Sequence, residues 1–184
     1  MKIFILVLCI FTFILTSCTN FEPLSQKDDI SNHIIKVVSK RLNEKYGLKL
    51  VAIGGGADED GVWNLDGGYN RYGKKILDIE ESRELILNCL KEFLYEANSN
   101  MEFRPFMKIY PFTEKNTSIA IFNYDEKRME VHFPYISVIS SYNGIISYRY
   151  LGPTLMDPYA KIVNETFEEA LRLSRKSEPN SEIK

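Results

Sequence analysis

The sequence is poor in the side chains that most often build metal and nucleophilic sites. Its 184 residues include only three cysteines and two histidines. His33 and His132 lie far apart in the chain, and no CxxC, HExxH or histidine-rich tract is present. An ordinary zinc site is therefore not expected. The acyl-transfer motif Gly-x-Ser-x-Gly is also missing, and we predict no catalytic residue, no cofactor and no metal.

Neither sign of charge dominates the chain. Lysine and arginine number 23 against 25 acidic residues, which gives a formal net charge of −2. No basic stripe stands out, and a clustered basic surface is the usual mark of a nucleic-acid-binding domain. We therefore do not expect nucleic acid as a partner.

The chain also lacks an apolar run of about 20 residues, the length that a membrane-spanning helix needs. The longest such stretch runs from Ile3 to Leu15 and follows Lys2. A basic residue, a short apolar run and small residues after it are the three parts of a secretory signal peptide. The small residues here are Thr16 and Ser17, so we predict a signal peptide over residues 1–17.

The end of this segment, Leu15-Thr16-Ser17-Cys18, resembles the lipobox of bacterial lipoproteins. The resemblance implies cleavage after Ser17, lipidation of the Cys18 thiol and a palmitate-bearing membrane anchor at that residue. Two or more acyl chains give a stable anchor, whereas one is marginal. The expected location is the bacterial cell envelope, on the outer membrane or the periplasmic face. The alternatives are a secretory signal with a chance cysteine and an uncleaved anchor helix.

Cleavage would leave Cys18 and Cys89, and acylation of Cys18 would leave Cys89 without a partner. No disulfide framework is then available. Cys89 falls in the middle of an apolar helix face, and a reactive thiolate needs exposure and nearby positive charge. We therefore predict that Cys89 is a buried hydrophobic residue. His33 lies off the apolar stripe of its helix, and we predict that it faces solvent.

Three helices are predicted from apolar periodicity and end signals. The first runs from about Ile30 to Tyr46, capped by Asp28 or Asp29 and ended by Gly47. The second runs from an Asp78 cap, with Glu81 at capping-box spacing, to about Ala97. The third runs from Pro158 or Tyr159 to Arg175. With the helices placed so, residues 18–29 form a tether, residues 30–176 a single domain and residues 177–184 a disordered tail.

Strands are predicted between these helices at residues 48–53, 62–65, 117–123, 129–133, 136–142 and 145–150. Asn143-Gly144 between the last two is a strong signal for a tight hairpin. Short connections of this kind imply antiparallel pairing. We therefore predict a single α+β domain, an antiparallel sheet with helices packed mainly on one face.

An acidic loop is the main candidate for chemistry, and we place it at residues 54–66, between Gly54 and Asp66. Asp58, Glu59 and Asp60 fall within it, and carboxylate clusters can hold hard cations. The closing glutamate of a calcium loop is missing, which favours a solvated hairpin tip. The glycines at its start are not expected to hold phosphate, because acidic residues and a strand follow them instead of a helix.

Residues 101–116 are irregular and rich in aromatic side chains, which argues against disorder. We predict an ordered loop in which Phe103, Phe106, Tyr110 and Phe112 are at least partly buried. Arg104 is expected to be held by an acceptor, such as a carboxylate on the second helix.

The body of the chain resembles a family of small uncharacterised proteins from chlamydia-like bacteria. The matching residues are Tyr46-Gly47-Leu48, Gly54-Gly55-Gly56, Arg83-Glu84-Leu85, Asn98-x-Asn100, Arg104-Pro105, Tyr110-Pro111-Phe112-Thr113 and Glu165-Thr166-Phe167-Glu168-Glu169-Ala170. The resemblance implies a distinct single domain and brings no activity, substrate or cofactor with it.

The function expected from the sequence is therefore a membrane-anchored envelope lipoprotein that acts as a binding or assembly module. Its partners would be the membrane, through the lipid at Cys18, and an envelope protein. The alternative is an envelope hydrolase or metal-dependent enzyme that uses the acidic loop of residues 54–66.

The lipid anchor can be tested by labelling the full-length protein with palmitate in a bacterial host. The wild-type chain should incorporate the label, and Cys18→Ser should abolish it because the acylated thiol is gone. Cys9→Ser is the matched control and should keep the label, since Cys9 lies in the segment that cleavage removes. A wild-type product without label would contradict the prediction.

Overall fold

The structure is a computed structural model that describes residues 25–73, 75–154 and 157–177. The predicted signal peptide, Cys18, the first part of the tether and the tail from residue 178 lie outside these residues. Within them the chain forms an α+β domain in which three helices cover one face of a six-stranded, mostly antiparallel sheet. The predicted fold class is confirmed.

The helices and strands follow one another in the order α-β-β-α-β-β-β-β-α. The elements are α1 Gln26–Tyr46, β1 Leu48–Asp58, β2 Gly61–Tyr72, α2 Ile79–Ser99, β3 Thr117–Tyr124, β4 Val138–Tyr142, β5 Ile145–Thr154, β6 Asp157–Thr166 and α3 Phe167–Ser177. Two short 3-10 turns, Arg104–Phe106 and Glu114–Asn116, lie between α2 and β3.

Helix α1 begins four residues before the predicted start, so the end of the predicted tether is helical. Ser25, rather than Asp28 or Asp29, caps it: the Asp28 backbone N–H donates to Ser25 Oγ at 3.4 Å, and the Ser25 backbone N–H donates to Asp28 Oδ2 at 3.2 Å. This reciprocal box satisfies two helix-end donors, which a single aspartate cap does not do. Gly47 ends the helix as predicted, with a left-handed φ of 67°.

The first hairpin is longer than predicted, and its glycines lie in a strand. Gly54 and Gly56 pair with Asp66 and Asn64 of β2, so the prediction of a loop from residue 54 is wrong. The indole of Trp63 lies over Gly56, where an added Cβ would come within 2.1 Å of the ring. Close packing, rather than flexibility, explains the glycine at that position.

The sheet order is β1-β2-β3-β4-β5-β6. Each neighbouring pair is antiparallel except β2 and β3, which run parallel. A parallel pair needs a long crossover connection, and α2 lies in the segment that supplies it. The β4–β5 turn is the predicted Asn143-Gly144, and both residues have positive φ values, 49° and 75°.

The predicted strand at residues 129–133 is wrong. Within that segment Glu130 forms a single isolated bridge with Tyr124. The side chains of Ser137 and Asn123 hold the neighbouring backbone, through Ser137 Oγ to Val131 O at 2.5 Å and Asn123 Nδ2 to Ile136 O at 3.0 Å. These hydrogen bonds satisfy backbone carbonyl groups that a strand would pair with another strand, so the segment is stable in an irregular conformation.

The predicted third helix is half wrong, because residues 157–166 form strand β6 and only Phe167–Ser177 is helical. The side-chain pattern of this segment fits both the helix period and the strand period. Val163 and Glu165 are two residues apart and both face the helix layer, as alternate residues of a strand do. Val163 pairs with Tyr148 and Glu165 with Ile146 on β5. Pairing with β5 makes the segment a strand, and the apolar periodicity of the segment carries no information about that pairing.

Helix α2 lies at the centre of the helical layer and contacts α1, α3, β3 and β4. Its predicted capping box is confirmed, with the Glu81 backbone N–H donating to Asp78 Oδ1 at 2.8 Å. Its Glu92 and Glu96 pair with Arg41 and Lys45 of α1. The largest fully buried side chains of the core are Tyr69, Tyr148, Phe93, Phe103, Ile34, Ile35, Leu42, Leu48, Leu65, Ile86, Leu90 and Ile119.

Removal of the α2 cap should weaken the whole domain. Asp78→Ala should lower the free energy of unfolding by about 1 kcal/mol, the usual cost of losing an acidic N-cap. Urea unfolding of the purified protein measures the change. Glu80→Ala is the control from the same helical turn, since Glu80 has no role in the cap. Equal effects of the two variants would show that the capping box does not stabilise α2.

Candidate functional site

The acidic hairpin tip is tied to the loop that follows α2. Lys108 Nζ lies 2.5 Å from Asp58 Oδ2 and 3.1 Å from Asp60 Oδ2, and this contact lowers the pKa of the Asp58 carboxyl. The Lys108 backbone N–H also donates to Val62 O at 2.8 Å. Two of the acids in the candidate loop therefore serve as partners of a lysine, and Lys27 Nζ donates to the backbone carbonyl of Asp58 at 2.7 Å.

The candidate residues from the sequence do not converge on a metal or catalytic centre. Across residues 25–73, 75–154 and 157–177, no group of three or more histidine, cysteine, aspartate or glutamate side chains is placed to hold a metal ion. His33 is exposed on α1, as predicted. His132 lies elsewhere, with Nδ1 at 3.2 Å from Gly152 O.

Cys89 is fully buried in the core, as predicted. Burial raises the pKa of its thiol well above the ordinary value. A thiol in this state is protonated and inaccessible, so Cys89 acts as a small apolar residue of α2.

The aromatic loop between α2 and β3 is ordered, in agreement with the prediction. Phe103 and Phe112 are buried and pack edge to face with ring centroids 5.8 Å apart. The side-chain amide of Asn98 fixes the backbone of Phe112, donating to its carbonyl at 2.9 Å and accepting from its N–H at 2.7 Å. Phe106 is partly buried, also as predicted.

Two details of the loop prediction are wrong. Tyr110 is exposed, at 46%, where at least partial burial was predicted. Arg104 does not bind a carboxylate of α2; its guanidinium lies 4.1 Å from the centre of the Tyr110 ring. A cation over an aromatic face holds the arginine while leaving both side chains near water.

A buried ion pair joins α2 to β6, an outer strand of the sheet. It was not predicted from the sequence. Arg83 binds Glu165 of β6 in a bidentate manner, with Nε to Oε1 at 2.9 Å and Nη2 to Oε2 at 3.1 Å. The hydroxyl of Tyr148 donates to the same carboxylate. All three residues are buried.

The protonation states of this group follow from its contacts. The hydrogen bond to Glu165 raises the pKa of Arg83, and burial raises the pKa of Tyr148 well above its ordinary value. Arg83 is therefore a permanent cation and Tyr148 a permanent donor around one carboxylate. The arrangement suits a structural tie, since each charge already has its partner.

A groove of about 690 Å³ lies between α2 and α3. We call it the α2–α3 groove. Its lining is Leu87, Asn88, Lys91, Leu94, Tyr95, Asn98, Ser99, Phe167, Leu171 and Ser174. The volume lies within the range of ligand sites, which are mostly apolar with a few polar groups. The residues that line the groove include one basic side chain, Lys91, and no acidic or histidine side chain.

Comparison with protein-family models, curated proteins and solved structures finds no match for this chain. The two resemblances noted in the sequence therefore stay predictions. In the part of the chain that the structure describes, no helix is both long and apolar enough to cross a membrane.

Loss of the buried arginine should destabilise the domain strongly. Arg83→Met should lower the free energy of unfolding by about 3–5 kcal/mol, because Glu165 would stay buried without its partner. Urea unfolding measures the loss. The double variant Arg83→Met with Glu165→Leu should be more stable than the single variant, since no unpaired charge remains.

The control for this prediction is Lys75→Met, which breaks the exposed pair between Lys75 and Glu81. Exposed ion pairs contribute little, so the loss should be far smaller. If Arg83→Met and Lys75→Met were equally mild, the Arg83–Glu165 pair would not be the tie that we describe.

Proposed function

We propose that this chain is a lipid-anchored protein of the bacterial cell envelope that binds an amphipathic helix of a partner protein in the α2–α3 groove. The observation that carries the proposal is the groove itself, an apolar surface open between two helices. A helix that lays its apolar face in a hydrophobic groove is a recurrent mode of recognition.

The dimensions of the groove support a helical occupant. Its lining on α2 extends from Leu87 to Ser99, which corresponds to about 18 Å at 1.5 Å per residue. This length matches about three turns of a partner helix. Leu94, Phe167 and Leu171 offer an apolar floor, and Tyr95, which is 66% exposed, stands at the side.

The charge around the groove indicates what the polar side of the partner carries. Lys91 is the one formally charged side chain of the lining, and Arg175 and Lys176 lie in the last turn of α3, next to the lining residue Ser174. Basic groups at the edge of an interface favour acidic groups on the partner. We therefore expect a helix with an apolar face and an acidic flank.

The enzyme alternative has weaker support from the geometry. It requires the carboxylates of residues 54–66 to act on a substrate, but Asp58 and Asp60 both contact Lys108. These residues lie in the β1–β2 hairpin and do not line the α2–α3 groove. A catalytic use of the hairpin would need these contacts to break first.

The proposed anchor and the proposed groove are compatible. The described domain begins at Ser25, and the segment back to Cys18 reaches at most about 25 Å when fully extended. A lipid at Cys18 would hold the domain close to the bilayer, where envelope proteins are available as partners. Palmitate labelling of Cys18 tests the anchor separately.

Site-specific photo-crosslinking in the envelope tests the groove. A photo-reactive amino acid at Asn88, in the groove lining, should give one discrete adduct with an envelope protein. Tyr95→Glu should abolish that adduct, because it places a negative charge against the acidic flank of the partner. The crosslinked peptide, identified by mass spectrometry, should be an amphipathic acidic helix.

Tyr142→Glu is the matched control, since Tyr142 is 68% exposed but lies on β4, away from the groove. It should leave the adduct intact, and both variants should melt at the wild-type temperature. An adduct that survives Tyr95→Glu, an adduct with lipid, or no adduct at all would contradict the proposal.

A further inference from the structure

The two edge strands of the sheet differ in how well they are protected. β1 and β6 are the outer strands. β6 carries Pro158 near its start and Lys161 in its middle, and proline and lysine are the usual guards against pairing at a sheet edge. Residues 50–57 of β1 read Leu-Val-Ala-Ile-Gly-Gly-Gly-Ala, with no charge and no proline. The β1 edge is therefore unguarded.

The outer side of β1 is also open. Among the described residues, β1 pairs only with β2, so its other row of backbone groups has no strand partner. Residues 51–55 are exposed, including Val51 at 53% and Ile53 at 39%. Exposed strands that are long, apolar and uncharged are templates for pairing with another chain.

We propose that β1 pairs antiparallel with β1 of a second copy of this chain and joins the two sheets into one. Each copy would offer the same segment, which makes the interface self-complementary about a twofold axis. The backbone hydrogen bonds of the two edges supply the contact, and the glycines present no side chain to obstruct it. This interface is separate from the α2–α3 groove and does not rest on the proposed function.

The charges at the ends of β1 favour the antiparallel arrangement. Lys49 lies near the start of the strand, Asp58 is its last residue, and Glu59 and Asp60 follow. Antiparallel pairing brings the lysine end of one strand beside the acidic end of the other. Parallel pairing would bring the two acidic ends together, and like charges across strands are destabilising.

The same charges define the register. Glycine-rich strands specify their register weakly, so the flanking groups must do so. Lys49 and Glu59 are equidistant from Gly54 in the sequence. Pairing centred on Gly54 therefore places Lys49 of each copy opposite Glu59 of the other, an acid for which the described part of the chain shows no ion pair. We infer a dimer centred near Gly54.

A matched pair of edge variants tests this proposal in the full-length protein. Ile53→Lys on β1 and Ile162→Lys on β6 each add one charge at an exposed isoleucine of an outer strand. In detergent, sedimentation should find the wild type and Ile162→Lys as dimers and Ile53→Lys as a monomer. A monomeric wild type, or a dimer that survives Ile53→Lys, would overturn it.

Crosslinking in the membrane provides a second measurement that does not depend on detergent. Ile53→Cys should give a dimer of the chain with a short bismaleimide, and Ile162→Cys should not. Cys89 will not interfere, because it is buried. Crosslinking of Ile53→Cys to a different protein would show that the edge receives an extended peptide of a partner, which would also overturn the self-pairing proposal.

Discussion

The parallel pairing of β2 and β3 inside the sheet is the constraint on which the rest of the domain depends. Two parallel neighbours cannot be joined by a tight turn, so the chain must return along the sheet between Tyr72 and Thr117. Helix α2 lies in this return and covers the middle strands. The other two helices then pack against α2 as well as against the sheet.

The ion pair between Arg83 and Glu165 connects α2 directly to β6, the outer strand at the end of the sheet opposite β1. Glu165 lies on β6 only two residues before Phe167, where α3 begins. By fixing Glu165 to α2, the pair also sets where α3 starts relative to α2. The α2–α3 groove lies between these two helices, so its shape depends on a contact at one end of it.

The remaining polar chemistry of the domain is largely internal. Asp58 and Asp60 of the hairpin bind Lys108, Glu92 and Glu96 of α2 bind α1, and Arg104 lies over Tyr110. Among the described residues, an apolar groove and one uncharged strand edge stay open. We propose both as surfaces for other chains, and we therefore favour binding over catalysis as the role of this domain.

Local sequence signals determined the parts of the fold that need no distant partner. The Asp78 cap, the left-handed Gly47 and the Asn143-Gly144 turn each act within a few residues. The buried position of Cys89 follows from the apolar period of α2. These features were predictable, as was the α+β class, because neighbouring residues decide them.

Tertiary structure decided the rest, because the responsible contacts join separate elements rather than neighbouring residues of one element. Residues 157–166 are a strand since β5 pairs with them, and the glycines of β1 belong to the ladder since Trp63 lies over Gly56. The α2–α3 groove was not predictable, because it exists only when α3 begins at Phe167 and packs on α2. A periodic pattern in the sequence indicates which side of a helix or strand is apolar. Which other element packs against that side depends on the tertiary structure.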